Sequence, residues 1–470
     1  MTGQTLEKGQ AELPTPNPTK SFWHRDPSRL LLGHRTTKHL PHEADVVVIG
    51  SGITGAFAAR GLCRDGAKRR VVMLESREAC WGATGRNGGH CQPRLYDKSI
   101  PVARFELGTF DYIHQLIARH DIACDWKVVG GVHPMKTPEL LNAIKARVQR
   151  IAARDPDLAA QIQVVEDPDE LKQLRVEGAV GAVFQPNAAK CWPYKLVAWI
   201  LEGLVQGGAG DKEEAGERLF NLQTNTSATG LQKLDDGQWI VHTPRGQIAA
   251  DHVLLATNAY TSHLLPRMAG VIVPVRGQVS ALARPEDGVQ LRHSYGWVDG
   301  ESGDDYLIHR DAGGPLIFGG GRLVAEGAEV GISSDDAVNA DVARHLRRAM
   351  FGRLKLKKGS GEEEEEELEA GLEWTGIMGY SKDARPWVGP VPESLGGGPG
   401  LWMSAGYTGH GMPVGARTGV AVAQMIMGTD GEDGAVEVPE EYWITESRIE
   451  ELKSRVERTL VEELEMLDRL

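Results

Sequence analysis

The stretch Ala44-Asp45-Val46-Val47-Val48-Ile49-Gly50-Ser51-Gly52-Ile53-Thr54-Gly55 decides the fold. Its first half is a mostly apolar run without alternation, the pattern of a strand buried on both faces. Its second half matches G-x-G-x-x-G, and Ala56 to Cys63 continue it in a helical pattern. A second apolar run, Val71 to Leu74, ends at Glu75. Strand, glycine turn, helix and strand make a βαβ opening, the context in which G-x-G-x-x-G carries weight. Gly50 permits the tight turn, Gly52 lets the backbone approach a pyrophosphate, and Gly55 lets the helix pack close to the strand. Ser51, Ile53 and Thr54 share this turn, whose helix N-terminus offers N–H groups and a partial positive charge to phosphates. Glu75, followed by Ser76, is placed to accept hydrogen bonds from a ribose, and its charge disfavours a 2′-phosphate.

The 470 residues suffice for roughly two or three packed units. Hydrophobic residues at 41% and charged residues at 25% supply a large core and argue against global disorder. A net charge of −13 argues against a nucleic-acid-binding surface. The five cysteines, Cys63, Cys80, Cys91, Cys124 and Cys191, show no metal-ligand spacing. Their odd number speaks against a disulfide framework and fits a reducing compartment. There is no run of about 20 apolar residues and no apolar leader region at the N-terminus. A cytoplasmic location is therefore expected, with neither membrane nor nucleic acid as partner. Nothing in the sequence specifies an oligomeric state.

Residues 1–40, with several prolines and no sustained period, suggest an arm lying on the surface. The region 101–184 has a helical pattern, including Pro138–Ala153 and Asp167–Leu174, and a further helix is expected over Lys195–Val205. Gly207–Gly216 is expected to be a surface insertion. Short strands follow at Leu222–Thr229, Trp239–Thr243, Gln247–Ala250 and Val253–Ala256, with a hairpin turn at Pro244-Arg245-Gly246. More strands are expected at Asp305–Ile308 and Leu316–Phe318, and an amphipathic helix over Val338–Leu356. The like charges of Glu362–Glu367 predict a solvated loop. A final charged helix carries Ile449, Leu452, Val456, Leu460, Leu464 and Leu467 on one stripe.

A second glycine-rich loop, Gly82-Ala83-Thr84-Gly85-Arg86-Asn87-Gly88-Gly89, lies just past Glu75, where an NAD domain would continue with ordinary βα units. It suits a longer cofactor threading past it. Downstream, Val253 to Asn258 reads as a buried strand ending in Ala256-Thr257-Asn258. Gly406-Tyr407-Thr408-Gly409-His410-Gly411-Met412 then precedes a helix from Val414 to Met425, a second helix N-terminus for a flavin carbonyl.

Together these motifs resemble the D-amino-acid-oxidase-like flavoproteins, among them glycine oxidase, monomeric sarcosine oxidase and gamma-glutamylputrescine oxidoreductase. The resemblance runs from about Ser21 to about Met427, and Gly-Arg-Asn-Gly-Gly with Trp374-Thr375-Gly376 is most similar to the last subgroup. It implies an α/β (mixed α+β) architecture: a discontinuous Rossmann-type FAD-binding domain and a substrate domain on a mixed β-sheet. The expected limits are 41–100, 185–265 and 370–435 for the FAD domain, and 101–184 and 266–369 for the substrate domain. The arm 1–40 and a C-terminal helix 436–470 flank them. The resemblance further implies FAD, with the Ala228 backbone near the adenine. It also implies removal of a hydride from a C–N bond to flavin N5, the resulting imine being hydrolysed by water.

Two positions depart from amino-acid-oxidising relatives. Met378, in Gly376-Ile377-Met378-Gly379, stands where glycine oxidase has a carboxylate-binding Arg. Pro413 stands where sarcosine oxidase has a Lys. Losing both cations removes the charge-assisted bonds that hold an α-carboxylate. The substrate is then an amine lacking that group, or one bound through Arg276, Arg310 or Arg322. His90, Tyr306, His309 and His410 are the polar pocket candidates, with Met378 as an apolar wall. Non-covalent FAD is expected, because the attachment positions of covalent relatives fall near Trp374–Ile377, which holds no Cys, and near Arg86, with His90 and Cys91 close by. The oxygen-activating Lys of sarcosine oxidase corresponds to about Ile317, so O2 or another electron acceptor remains open. So do oxidation of an amino acid, of a C–O or ring C–H bond, and a non-catalytic flavin-binding role.

Overall fold

The computed structural model describes residues 6–7, 9–64, 69–207, 219–285, 290–299, 303–311, 313–354, 367–432 and 434–454. The opening forms as the pattern dictates: strand Glu43–Ile49, helix Ile53–Leu62 and strand Val71–Leu74. Val46, Val47 and Val48 are fully buried, as a run without alternation requires. They sit in the middle of an eight-stranded sheet. Its path runs Gly230–Lys233, Trp239–Thr243, Gly246–Leu255, Glu43–Ile49, Val71–Leu74 and Phe220–Gln223, with Leu401–Ala405 and Trp387–Pro390 branching from Gly246–Leu255. The central pairings are parallel. Helix Gly415–Met427 packs on Ile53–Leu62 at close range, since a Cβ on Gly419 would meet the Thr54 carbonyl oxygen at 2.4 Å.

The second sheet also has eight strands, in the order Ala370–Ser381, Ile272–Leu282, Leu316–Gly320, Gly303–His309, Ser294–Asp299, Gly131–Met135, Gly181–Gln185 and Gln163–Val165. It is mixed, because Ser294–Asp299 runs parallel to Gly131–Met135 amid antiparallel neighbours. The architecture matches the mixed α/β expectation.

Several boundaries differ. The limit expected at residue 370 puts Ala370–Ser381 with the cofactor unit, whereas this strand pairs along its whole length with Ile272–Leu282. Region 101–184 holds the helices Ile100–His120 and Pro138–Arg154, but also three strands of the second sheet. These strands are only three to five residues long, too short for a period to show. Gln247–Ala250 and Val253–Ala256 are one strand, Gly246–Leu255. The polar Asp251 and His252 in its middle are an exposed and a half-buried position rather than a break. The strand expected at Leu222–Thr229 is Phe220–Gln223, followed by irregular chain. The arm is not confined to the surface, since Ala11, Phe22, Trp23 and Leu31 are buried.

At the C-terminus the described helix is Glu446–Ser454, whose Leu452 is buried and Ile449 packed against the first sheet's core. Val456, Leu460, Leu464 and Leu467 lie outside the described residues, as do 208–216 of the expected insertion and 362–366 of the acidic run. Glu367 pairs with Arg347 at 2.8 Å and Arg348 at 3.0 Å. Among the described residues no helix is long and apolar enough to cross a membrane.

Candidate cofactor and substrate cleft

The parallel strands of the first sheet end at one edge, in Gly50, Glu75, Ala256 and Gly406. A cavity of about 1690 Å³, mouth included, opens there against the face of the second sheet. This is where ligands bind in open α/β sheets. Gly50, Ser51, Gly52, Ile53, Thr54, Glu75, Ser76, Ala83, Thr84, Arg86, Asn87, Gly88, Ala228, Ala256, Thr257 and Asn258 line it, with Tyr407, Gly409, His410, Gly411 and Met412. The second sheet contributes Gly277, Val279, Tyr306, Gly376, Ile377 and Met378. Strand Ala370–Ser381 thus carries the Gly-Ile-Met-Gly segment to the cleft from the substrate side.

Gly55, Gly85, Gly89, Gly406 and Thr408, expected at the cofactor, do not line the cavity; they shape what does. A Cβ on Gly55 would stand 1.9 Å from the Gly50 carbonyl oxygen, so its hydrogen is what lets the helix start against the strand. A Cβ on Gly89 would stand 2.3 Å from the Trp23 ring, so this glycine admits the N-terminal arm rather than a cofactor. The Gly406 N–H donates to Asn258 Oδ1 at 3.1 Å, and the Thr408 N–H donates to the Gly379 carbonyl at 2.8 Å. These bonds fix the C-terminal turn on both sheets.

Glu75 is buried, and its carboxylate accepts from the Ser51 N–H at 3.1 Å, the Ser51 hydroxyl at 2.6 Å and the Arg77 N–H at 3.0 Å. Thr84 Oγ1 accepts the Ile53 N–H at 3.0 Å, tying the second glycine loop to the helix N-terminus. The Thr54 and Tyr407 hydroxyls share a hydrogen bond of 2.8 Å, joining that helix to the C-terminal turn. Arg86 is almost fully buried, donates from Nε to the Thr375 carbonyl at 2.5 Å and pairs with Asp335 at 3.1 Å. Its Nη1 is buried without a hydrogen-bond partner while the residue lines the cavity. A buried N–H donor of this kind calls for an acceptor. A carboxylate at the strand end, glycine turns at two helix N-termini and an orphan guanidinium donor fit a long dinucleotide such as FAD.

On the substrate side, Met378 lies over Gly277 and Gly409, where Cβ atoms would meet its Cε at 2.8 Å and its Sδ at 3.5 Å respectively. Tyr306 and His90 meet edge to face with centroids 5.2 Å apart. Burial, helped by the neighbouring His410, lowers the His90 pKa to about 4, so the ring is neutral near pH 7. His410 Nε2 lies 2.9 Å from Glu106 Oε2 on helix Ile100–His120, and Glu106 is buried. His309 is the candidate the structure does not bring in. Side chains alternate along a strand, and on Gly303–His309 a Tyr306 facing the cleft sends Leu307 and His309 to the other side. There His309 Nδ1 accepts the Leu291 N–H at 3.1 Å.

The cleft also holds residues the sequence did not single out: Leu13, Pro14, Arg77, Gln92, Tyr260 and His263. Gln92 begins a polar chain. Its Oε1 accepts from Ser294 Oγ at 2.7 Å, its Nε2 meets His133, and His133 Nδ1 lies 2.5 Å from the Tyr96 hydroxyl. Its place directly after the Gly-Arg-Asn-Gly-Gly-His-Cys run is the one available signal.

The family profile described as "FAD dependent oxidoreductase" matches residues 45–425. The chain is 24% identical over 414 residues to "Probable oxidoreductase OrdL" of Haemophilus influenzae, covering 82% of this chain and 84% of that one. It is also 24% identical over 405 residues to "Gamma-glutamylputrescine oxidoreductase" of Escherichia coli, covering 82% and 84%. Among solved structures, glycine oxidase from Geobacillus kaustophilus superposes with a TM-score of 0.66 at 20% identity, covering 85% of this chain and 98% of that one.

Proposed function

Because this chain belongs to the FAD dependent oxidoreductase family, we propose that it oxidises the C–N bond of an amine lacking an α-carboxylate, with FAD held non-covalently. The observation that carries this reading is the set of cations at the cleft. Among the described residues, the arginines lining it are Arg77 and Arg86, and both are paired with the buried Asp335; no lysine lines it. Of the three alternative clamps, Arg276 pairs with Glu329 and Arg310 with Asp125, and neither lines the cavity. Arg322 lies over the Tyr380 ring, 5.1 Å from its centroid, and does not line it either. An α-carboxylate entering past Met378 and Pro413 would lose its water without gaining a charged partner, a cost of several kcal/mol. A flexible apolar wall of the Met378 kind suits an alkyl chain instead. The E. coli relative is itself named for an acylated diamine.

FAD, when bound, supplies the two-electron acceptor. The protein's part is to admit the amine, orient its C–H and take the proton that the ammonium form must lose. His410, backed by the Glu106 carboxylate, is placed for that proton. Tyr306 and the neutral His90 ring form an uncharged wall beside it. Non-covalent attachment is supported by Cys91, which is fully buried, does not line the cavity and has a thiol pKa raised by burial.

The test is anaerobic addition of amines and matched α-amino acids to the flavin-loaded protein. Loss of the visible flavin absorption is expected with diamines, polyamines or their acylated forms and not with glycine. Fastest bleaching by glycine, sarcosine or a D-amino acid would overturn the reading and turn attention to Arg322. Acid-precipitated protein should release all its flavin into the supernatant, and a flavin-sized adduct on a peptide would contradict the non-covalent part.

A further inference from the structure

We infer that Leu13 and Pro14 are part of the FAD site, and that residues 11–19 form a strap across it that must be released before the cofactor enters or leaves. The inference rests on the cleft being the FAD site.

The local sequence suits a strap. Pro14, Pro16 and Pro18 fix φ at alternate positions, and each residue before a proline is pushed to extended conformations. Residues 14–18 are therefore stiff before they dock, spanning about 15 Å at about 3.1 Å per residue. A stiff segment loses little chain entropy when it is held. Pro14, half-buried, also brings no N–H to the cavity wall, so docking it there leaves no donor unpaired.

Both ends are tied. At one end the Ala11 N–H donates to Ser262 Oγ at 2.9 Å, Gln10 Nε2 donates to the His263 carbonyl at 3.1 Å, and Ala11 is fully buried. The Glu12 N–H reaches Ser333 Oγ at 3.3 Å, and the Ser333 carbonyl in turn accepts from the Tyr260 hydroxyl at 3.2 Å. At the other end the Thr19 N–H donates to the Asp335 carbonyl at 2.7 Å, and Thr19 Oγ1 accepts the Thr375 N–H at 3.0 Å. Arg86 Nη2 donates to the Thr19 carbonyl at 2.5 Å and to its hydroxyl at 2.7 Å. Between these ties Leu13 and Pro14 line the cavity, beside Tyr260, His263 and Arg77. The partners at 262–263 belong to the first sheet's loops, and those at 333–335 and 375 to the second sheet and its connections. The strap therefore bridges the two walls of the cleft on its outer side, while Pro16 and Asn17 stay exposed.

The experiment compares three holoproteins: the full chain, a chain lacking residues 2–18, and the double variant Leu13→Gly/Pro14→Gly. Each is mixed with excess isotopically labelled FAD, and exchange of the bound cofactor is followed by mass spectrometry. We expect exchange at least tenfold faster in the truncated chain and severalfold faster in the double variant. In the full chain, proteinase K should cut within residues 6–20 faster in the apoprotein than in the holoprotein. Exchange within twofold of the full chain in both variants would overturn the strap. Should the truncated chain fail to fold, the double variant, which keeps both ties, decides alone. A full chain that holds no FAD and takes none up would instead refute the cofactor reading of the cleft, and the strap with it.

Discussion

Glu75 is engaged by the protein before any ribose reaches it. Ser51 occupies one carboxylate oxygen with two donors, and the Arg77 N–H occupies the other once. A carboxylate offers about four lone-pair sites, so capacity for a ribose hydroxyl remains on the Arg77 side. Glu75→Ala should purify largely without flavin, and full visible absorption in that variant would place the ribose elsewhere. Alanine also strands the Ser51 and Arg77 donors, so Glu75→Gln, which keeps volume and one acceptor oxygen, is the companion. It should bind FAD more weakly while its urea midpoint stays close to that of the parent. Met378 allows the converse experiment, adding a contact instead of removing one. A hydrogen bond to a charged group contributes about 1.5–3 kcal/mol, so Met378→Arg should raise the preference for sarcosine over a simple amine by roughly tenfold or more. An unchanged ratio of kcat/KM values would mean that the side chain does not meet the substrate.

Between single residues and the whole chain, the connection 331–339 ties several separate segments together. Its Asp335 is fully buried, pairs with Arg77 Nη1 at 2.8 Å and Arg86 Nε at 3.1 Å, and lends its carbonyl to Thr19. Its carboxylate thus ties the Glu75 loop and the second glycine loop, and its carbonyl the arm, to the second sheet's connections. Asp335→Ala would leave two guanidiniums buried without their anion, a loss of about 3–5 kcal/mol. Urea unfolding measures it, and a loss below about 1 kcal/mol would show that water or a rearranged partner replaces the carboxylate. None of this was visible in the sequence, where Asp335 is one acidic residue among several. The βαβ opening was legible because an unalternating apolar run and a glycine turn are both local signals. Which of Tyr306 and His309 meets the cleft was not, because alternation puts the two on opposite faces of the strand but does not say which face turns inward; the neighbouring strands fix that. Leu13 and Pro14 were hidden for a related reason. Proline spacing announces a stiff, extended arm but carries no information about where the arm lies.

At the scale of the molecule, the buried imidazoles set the response to acid. Burial lowers the pKa of His24 and His133 to about 3 and that of His90 and His309 to about 4, from 6.5. Arg86 adds to the effect at His24, Arg94 at His133, and Arg284 at His309. The sign follows from proton binding. Between about pH 4 and 6.5 the unfolded chain holds protons on these rings that the folded chain refuses, so unfolding takes protons up. Their contribution to stability is fully present above pH 6.5 and drains away as pH falls toward the folded values. Depressed carboxylates such as Asp97 and Asp383 start from 3.8, so their contribution is lost mainly below that window and does not mask it. The unfolding free energy in urea should therefore fall between pH 6.5 and 4.5, with a slope equivalent to at least two protons. His309 gives the sharpest test, because it is buried and stands away from the cleft, where a bound flavin cannot interfere. An Asn in its place can present an oxygen where Nδ1 accepts the Leu291 N–H, and it does not titrate. His309→Asn should therefore flatten the slope by about one proton while leaving flavin content unchanged. A slope that stays the same would mean that this ring opens to water and protonates without unfolding the chain.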